Sequence, residues 1–278
     1  MFFLLLLPAA LAGEWAREPI DPKVPSDYSA YTLGFKHVRV GLFDDDVGVW
    51  SNVDVGTTPI LFVLGVPNAH AKIGAVQSKV LDIAVTGAWH GYSLEKMGVD
   101  GGYLNVIPLG LTSSWSISRH LSIHAGASWL LADIKGQVGL DEIAGGLATA
   151  IGVDLSEELD SQLSEDGALY AGANVMLTQA HLGADWRFNR RDALVLQTNT
   201  FLYLSGTISG GYATEDDSLQ AGATVHLKKP LTDQLQSVIT VSWQFSWKHW
   251  YLRVGLPVPT KTIPLLWIPQ AFELNYVF

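Results

Sequence analysis

Hydrophobic and polar residues alternate one by one over long stretches of this chain. Between residues 235 and 248 one parity carries Ile239, Val241, Trp243, Phe245 and Trp247, and the residues between them are polar. The same alternation recurs in residues 219–228 and 121–129. A period of two places apolar side chains on one face of a β-strand and polar side chains on the other. The pattern therefore predicts amphipathic strands, which suit either a soluble sandwich or a membrane barrel.

The lengths of the predicted strands favour the barrel. They run mostly over about 9 to 16 residues, which is long for a globular sheet and suits a tilted crossing of a bilayer. The eleven predicted strands are 31–43, 47–56, 69–77, 80–92, 103–117, 121–135, 169–188, 193–208, 219–228, 234–249 and 265–278. Bacterial single-chain barrels have even strand counts. Either residues 250–256 form a twelfth strand or the N-terminal arm passes through the lumen, so we expect a closed antiparallel barrel of about twelve strands, with ten as the alternative.

Short and long connections alternate between these strands. The short turns are 44–46, 78–79, 118–120, 189–192 and 229–233, and the long ones are 58–68, 93–102, 136–167, 209–217 and 253–264. Outer-membrane barrels have short periplasmic turns and long external loops. The longest loop, 136–167, has apolar residues at helical spacing and many acids, so we expect short helical pieces that narrow the mouth, pack on the rim or dock a partner.

The first residues have the features of an export signal. Residues 2–12 are apolar and end in the small residues Ala10, Ala12 and Gly13. This pattern predicts a secretory signal at residues 1–12, followed by an N-terminal arm at 13–30 and the barrel at 31–278. Export combined with alternating strands predicts the outer membrane of a Gram-negative bacterium.

Composition excludes several other classes. The 278 residues are 48% hydrophobic and 16% charged, carry a net charge of −10, and include no Cys. No apolar run reaches the roughly 18 to 20 residues of a membrane-spanning helix. The missing Cys argue against a disulfide-stapled domain, and the acidic balance argues against a nucleic-acid partner.

The carboxyl terminus has a distinctive pattern. Phe272, Leu274, Tyr276 and Phe278 share one parity, and the chain finishes on the aromatic residue. This stretch resembles the terminal signature of bacterial outer-membrane β-barrels. The resemblance implies that these four residues are an assembly signal read by the barrel-assembly machinery. A sheet in lipid must also close, because an open edge would leave backbone groups unpaired.

A second resemblance concerns the opening of the barrel. The segments Tyr31-Thr32-Leu33-Gly34, Val40-Gly41-Leu42-Phe43-Asp44 and Val53-Asp54-Val55-Gly56-Thr57, then Pro67-Asn68 and Lys72, resemble the start of proteobacterial barrels grouped as transporters of aromatic-degradation pathways. The resemblance implies a transport-type barrel and carries no substrate with it.

The polar parity supplies the candidate site residues. The predicted lumen-lining residues are Lys72, Asp82, His90, His124, His226, Gln244, Lys248 and Glu273, with His70 as a further candidate. Such groups can bind metal or act as acid and base. His120 and His124, however, lie about 13 Å apart along a strand, too far to share one metal. We therefore expect a wet polar lining with no cofactor, no metal and no catalytic residue.

Three functions follow from this interpretation. The first is a narrow pore or transporter for small solutes, and the alternative is a non-conducting barrel that presents its loops to partners. The third is an outer-membrane lipid-acting enzyme, for which Ser122 and His124 share a strand face but no Gly-x-Ser-x-Gly turn is present. The expected partners are outer-membrane lipid and lipopolysaccharide, the assembly machinery and a small solute.

Overall fold

The structure of the chain is a computed structural model. It describes residues 29–41, 45–93, 102–136, 170–189, 191–213, 219–231, 237–247, 250–259 and 272–277.

The described chain is almost entirely β-structure. It contains thirteen strands and one helix. The strands are β1 (Val38–Gly41), β2 (Asp45–Trp50), β3 (Val53–Thr57), β4 (Asn68–Gln77), β5 (Leu81–Ser93), β6 (Tyr103–Ser116), β7 (Leu121–Gly136), β8 (Tyr170–Arg187), β9 (Asp192–Ala213), β10 (Leu219–Pro230), β11 (Ser237–Trp247), β12 (Trp250–Pro259) and β13 (Phe272–Val277). The helix α1 (Pro59–Val63) lies between β3 and β4. The expected all-β antiparallel class is confirmed.

All strands belong to one antiparallel sheet. Pairings lead from β9 to β11, β12, β13 and β1, and from β1 through each successive strand to β8. β8 also pairs with β9 over nearly its whole length, from Tyr170 opposite Gly211 to Arg187 opposite Ala193. β9 therefore has β11 on one edge and β8 on the other edge. The series of pairings that leaves β9 through β11 ends at β8, which pairs with the opposite edge of β9.

β10 and β11 follow one another along the same edge of β9. Pro230, at the end of β10, pairs with Tyr203, and Ser237, at the start of β11, pairs with Thr200. Both strands are antiparallel to β9, so the chain does not reverse between them. The turn predicted at 229–233 is therefore wrong, and the thirteen strands occupy twelve positions in the sheet.

At the start of the sheet, by contrast, the chain reverses where the sequence predicted one continuous strand. The predicted strand 47–56 is a hairpin, in which β2 and β3 reverse between Trp50 and Val53. Asn52 stabilises the reversal by donating a hydrogen bond to the Gly74 carbonyl at 3.1 Å. The candidate twelfth strand at 250–256 is present as β12. One missed reversal and one false reversal offset each other, and the expected number of twelve holds.

The topology also reassigns the two ends of the sheet. The hairpin at residues 51–52 lies at the same end as the connections at 78–80, 117–120 and 188–191, which we call the short-turn end. The strand ends that flank residues 42–44, 58–67, 94–102 and 137–169 lie at the opposite end, which we call the long-connection end. β1 therefore begins, and β13 ends, at the short-turn end. The prediction had placed the turn at 44–46 with the short turns, which put the start of the first strand on the external side.

The helical pieces expected in residues 136–167 cannot be compared with the fold, because only Gly136 of that loop lies within the described residues. The helix that is described, α1, has five residues and a Pro at its start. Among the described residues, no helix is both long enough and apolar enough to span a membrane.

The two faces of the sheet differ in polarity. On β7 the face that carries Leu121, Ile123, Trp129 and Leu131 is apolar, and Ile123 and Trp129 are exposed. The opposite face carries Ser122 and His124, which are 1% and 0% exposed. The arrangement is the reverse of a soluble protein, in which apolar side chains are buried.

The apolar face has the height of a lipid core. Leu121 and Leu131 are ten residue steps apart on β7, which is about 34 Å along an antiparallel strand. A strand tilt of roughly 35 to 45° reduces this length to about 24 to 28 Å, close to the roughly 25 Å apolar band of outer-membrane barrels. Asp133 and Lys135 follow Leu131 on the same face and end the apolar belt.

Aromatic side chains gather at the short-turn end of this belt. Phe188 stacks on Trp243 and packs against Trp186, with ring centroids 5.4 Å apart in each pair. Trp250 and Tyr276 meet edge to face at 4.7 Å. Such rows are typical of the interfacial girdles of membrane barrels.

Candidate functional site

The buried face of β1 to β4 carries a cluster of charged side chains. Arg39 pairs with Asp46 through Nε, at 2.7 Å, and through Nη2. The other oxygen of Asp46 lies 2.6 Å from His70 Nε2. Gly56 makes this cluster possible, because a Cβ at that position would collide with both the Asp46 carboxylate and the His70 ring. Arg39 and Asp46 are 3% and 5% exposed, so the pair is stabilised by its own geometry rather than by water.

A second buried cluster joins β6, β7 and β8. Ser114 Oγ is hydrogen-bonded to His124 Nδ1 at 2.7 Å, and His124 Nε2 lies 3.4 Å from Asp185. The order Ser, His, acid is that of a hydrolase triad. The backbone N–H of Ala30, however, donates to the same Ser114 oxygen at 2.7 Å, and both residues are 0% exposed, so this oxygen is already engaged and closed off from solvent. The geometry therefore favours a structural link between three strands and the N-terminal segment.

A third cluster lies on β11 to β13. Arg253 donates a hydrogen bond to Gln244 Oε1 at 3.1 Å, and both residues are buried. Glu273 is opposite Arg253 in the strand register. Gly255 leaves room for Ser242, the neighbour of Gln244 on the same face. The cluster places a cation against polar groups within the sheet's buried face.

Residues 29–33, which we call the N-terminal segment, lie against this buried face. Ser29 and Ala30 are 0% exposed and Tyr31 is 3% exposed. The segment is tied to three strands by four hydrogen bonds: Ala30 N–H to Ser114, Leu33 N–H to Asp54 at 3.0 Å, Tyr31 with Ser116 at 3.1 Å, and Lys72 to the Tyr31 carbonyl at 3.5 Å. The Tyr31 ring also meets the edge of His124 at 5.7 Å. The segment therefore fills space between strands near the short-turn end.

Gly48 lets the chain pass from the N-terminal segment into β1. The Lys36 N–H donates to the Gly48 carbonyl and the Gly48 N–H donates to the His37 carbonyl, both at 2.9 Å. A Cβ on Gly48 would collide with the Gly34 backbone. Gly34 itself has φ of 86°, a conformation that favours glycine. Two glycines thus allow the close approach that holds the segment.

The polarity of the sheet inverts along β8. Toward the short-turn end its buried face carries Asp185 and Arg187, and toward the other end it carries Val175 and Leu177. The exposed face changes the opposite way, from Leu182 and Trp186 to Asn174. The register of β9 against β8 is irregular, because Thr178 pairs with Tyr203 and the next residue, Gln179, pairs with Phe201. This irregularity changes which parity of β9 is buried, so Phe201 and Leu204 are both buried. The halves of β8 and β9 nearer the long-connection end therefore bury apolar side chains and expose polar ones, as a soluble protein does.

This inversion explains the position of His226. His226 is exposed in β10, beside exposed Thr224 and Lys228, and Leu227 between them is 3% exposed. Alternation distinguishes the two faces of a strand but does not say which one is buried. The polar face of β10 points outward because the strand pairs only with the half of β9 nearer the long-connection end. The structure thus places His226 away from the lumen position that alternation predicted.

The remaining predicted lining residues have varied locations. Lys72, Asp82, His124 and Gln244 are 8%, 3%, 0% and 4% exposed. His90 is partly buried, His70 belongs to the Arg39–Asp46 cluster, Glu273 is placed only by its register, and Lys248 lies outside the described residues. The structure therefore divides the predicted set among separate clusters rather than one site.

Several residues of these clusters were missed by sequence reasoning. They are Arg39, Asp46, Asp54, Ser114, Asp185 and Arg253. Asp46 was assigned to a turn, and Asp54 and Arg253 were not recognised as buried-face residues because their strands were misplaced or incomplete. The usable signal was a charged residue that alternates with apolar ones, as in Val53-Asp54-Val55.

The assembly signal is only partly described. Leu274 and Tyr276 lie in β13, and Tyr276 is opposite both Val40 and Trp250. The side chain of Phe272 and all of Phe278 lie outside the described residues. The role of these residues in assembly stays a prediction.

Comparisons with known proteins find similarity to solved structures alone. The monoaromatic hydrocarbon channel CymD has a TM-score of 0.41 and 10% identity, over 89% of this chain and 67% of that chain. The toluene transporter TodX of Pseudomonas putida has a TM-score of 0.36 and 10% identity, over 87% of this chain and 76% of that chain. No family model and no curated protein matches the sequence.

Proposed function

We propose that this protein is a closed twelve-stranded β-barrel of the Gram-negative outer membrane that passes small solutes, and that the N-terminal segment closes its lumen. Closure is supported by the pairing of β8 with β9, since β9 also starts the series that leads through β11 and β1 back to β8. The membrane location is supported by the exposed apolar belt and its aromatic end. The short-turn end then faces the periplasm, and residues 1–12 are the signal that exports the chain.

The position of the N-terminal segment is the main support for solute passage. Its residues occupy space between strands and are bound there by a few hydrogen bonds, mostly to the strand side chains Asp54, Lys72, Ser114 and Ser116. Each such bond contributes about 0.5 to 1.5 kcal/mol. A lumen that holds an extended peptide has the width for a small solute once the peptide leaves.

The alternative is a non-conducting barrel that presents loops to partners. The buried Arg39–Asp46–His70 and Gln244–Arg253 clusters favour it, because they fill part of the same space with side chains of the wall. Barrels of this size are either filled or open. Both functions share the fold and differ in whether a path opens when the segment is displaced.

A planar-bilayer experiment separates the two functions. The intact protein is compared with a variant that lacks residues 29–33, and both are first checked for the mobility shift between unheated and boiled samples that folded barrels show. Solute passage predicts discrete conductance steps that are more frequent in the deletion variant. A folded deletion variant with no conductance contradicts passage and supports the platform.

A further inference from the structure

The exposed face of β5 to β9 has a groove at the end of the apolar belt. Two rows of side chains in register form it. The lower row, Ile107, Leu131 and Met176, pairs across three strands and is extended by Trp89. The groove has a volume of about 530 Å³, and Trp89 and Ile107 on its floor are 43% and 40% exposed.

The upper row of the groove is polar. Asn105, Asp133 and Asn174 are opposite one another on β6, β7 and β8. Asp133 Oδ2 accepts a weak hydrogen bond from Tyr103 at 3.5 Å. Asp133 Oδ1 is buried and has no hydrogen-bond partner among the described residues. Buried polar atoms are nearly always satisfied, so this oxygen at the rim of the groove is available to accept a hydrogen bond from a bound molecule.

A positive charge lies one row beyond. Lys135 follows Asp133 by two residues on the same face of β7, and its Nζ lies 5.8 Å from the centre of the Tyr103 ring. The side chain is held over an aromatic ring and remains open to solvent. Along this face of β7, an apolar residue (Leu131) is therefore followed by a hydrogen-bond acceptor (Asp133) and then by a cation (Lys135).

We propose that this groove binds one phosphorylated glycolipid of the outer leaflet, with lipid A chemistry. An acyl chain would lie along Trp89, Ile107 and Leu131, sugar hydroxyls would donate to Asp133 and bond to the Asn side chains, and Lys135 would pair with a sugar phosphate. The position fits because the groove faces the long-connection end, which the proposed orientation places in the outer leaflet. The inference rests on that membrane placement and does not depend on whether the barrel conducts.

The test uses the full-length protein in nanodiscs of neutral lipid and measures binding of purified diphosphoryl lipid A. Lys135→Ala is expected to weaken binding about tenfold, since loss of a charge-assisted contact of about 1.4 kcal/mol is tenfold in affinity. The same variant should bind diphosphoryl and monophosphoryl lipid A equally. Lys79→Ala is the matched control, because Lys79 is an exposed lysine in the connection at 78–80, at the short-turn end and away from the groove, and it should bind like the wild type.

Three results would overturn the proposal: no binding of lipid A, unchanged affinity in Lys135→Ala, or equal binding of phosphatidylglycerol by the wild type. Asp133→Leu gives a second measurement, because it removes the unpaired oxygen and should also weaken binding. Heat-modifiable mobility of each variant reports barrel folding independently. A protein that never shows this shift fails the membrane placement itself, whereas a folded barrel without lipid A affinity fails only the groove.

Discussion

The backbone of Gly34 lies directly against Gly48, so that any side chain at position 48 would collide with the Gly34 carbonyl. This contact lies just after the N-terminal segment and fixes the path by which the chain leaves the buried face and enters β1. Residues 36, 37 and 48 add two backbone hydrogen bonds at the same place. The path of the chain from the N-terminal segment into β1 therefore depends on the absence of a Cβ on Gly48.

Gly48→Ala should displace the N-terminal segment. The added methyl group cannot be accommodated by a flexible side chain, because its neighbour is backbone. We expect faster labelling of a cysteine placed at Tyr31 and more frequent conductance steps. Gly87→Ala is the control, since a Cβ there would meet Leu109 at an ordinary 3.5 Å. Equal labelling rates in the two variants would show that the Gly34–Gly48 contact does not hold the segment.

Leu182→Arg tests the membrane belt. Leu182 is 58% exposed and lies near the middle of the apolar part of β8, between Trp186 and Met176. In water such an exposed substitution changes stability by about 0.5 kcal/mol or less. At the centre of a bilayer it costs about 2 to 4 kcal/mol.

Urea unfolding of the protein in lipid vesicles measures this cost. His226→Arg is the matched control, because His226 is also exposed but lies where the face is already polar. We expect a large loss of stability for Leu182→Arg and little change for His226→Arg. Equal small effects would place residue 182 in water and contradict the belt.

Asp46→Asn tests the buried ion pair. The change leaves Arg39 buried with a weakened partner, and breaking a buried pair costs about 3 to 5 kcal/mol. The double variant Arg39→Met/Asp46→Leu should recover much of that stability, since apolar replacement of both partners is often neutral. Unfolding free energies of the wild type and the two variants measure this. A double variant as unstable as Asp46→Asn would mean that the cluster does more than balance its own charges.

The sequence contained most of the strands and little of the interior. Strands such as β6, β7 and β8 were predicted to within a residue or two, because long alternation with turn residues at each end defines them. The β2–β3 hairpin was missed because its turn at Ser51 and Asn52 sits inside a single alternating run. The β10–β11 continuation was missed because Pro230 and Asp233 are typical turn residues, and only pairing with β9 decides the direction of the chain.

The buried clusters required the fold. Ser114 and His124 are ten residues apart in sequence and Asp185 lies far from both, so their contact depends on the register of β6, β7 and β8. The sequence prediction offered passage of the N-terminal arm, residues 13–30, through the lumen as one alternative and assigned residues 31–33 to the first strand. It could not show which strands residues 29–33 would meet. Periodicity likewise could not reveal the inversion along β8, because the polar and apolar faces exchange their surroundings while the alternation continues.

We propose that the N-terminal segment closes a solute path, and this can be tested directly. The Ala30 N–H lies 2.7 Å from Ser114 Oγ, and the chain has no native Cys. The double variant Ala30→Cys/Ser114→Cys can therefore lock the segment to β6 reversibly, with Ala30→Cys and Ser114→Cys alone as controls. The decisive measurement is single-channel current of the double variant in planar bilayers before and after reduction with dithiothreitol. We expect no openings in the oxidised protein and discrete openings after reduction. Identical currents in the two states, or silence in both, would contradict closure of a solute path by the N-terminal segment.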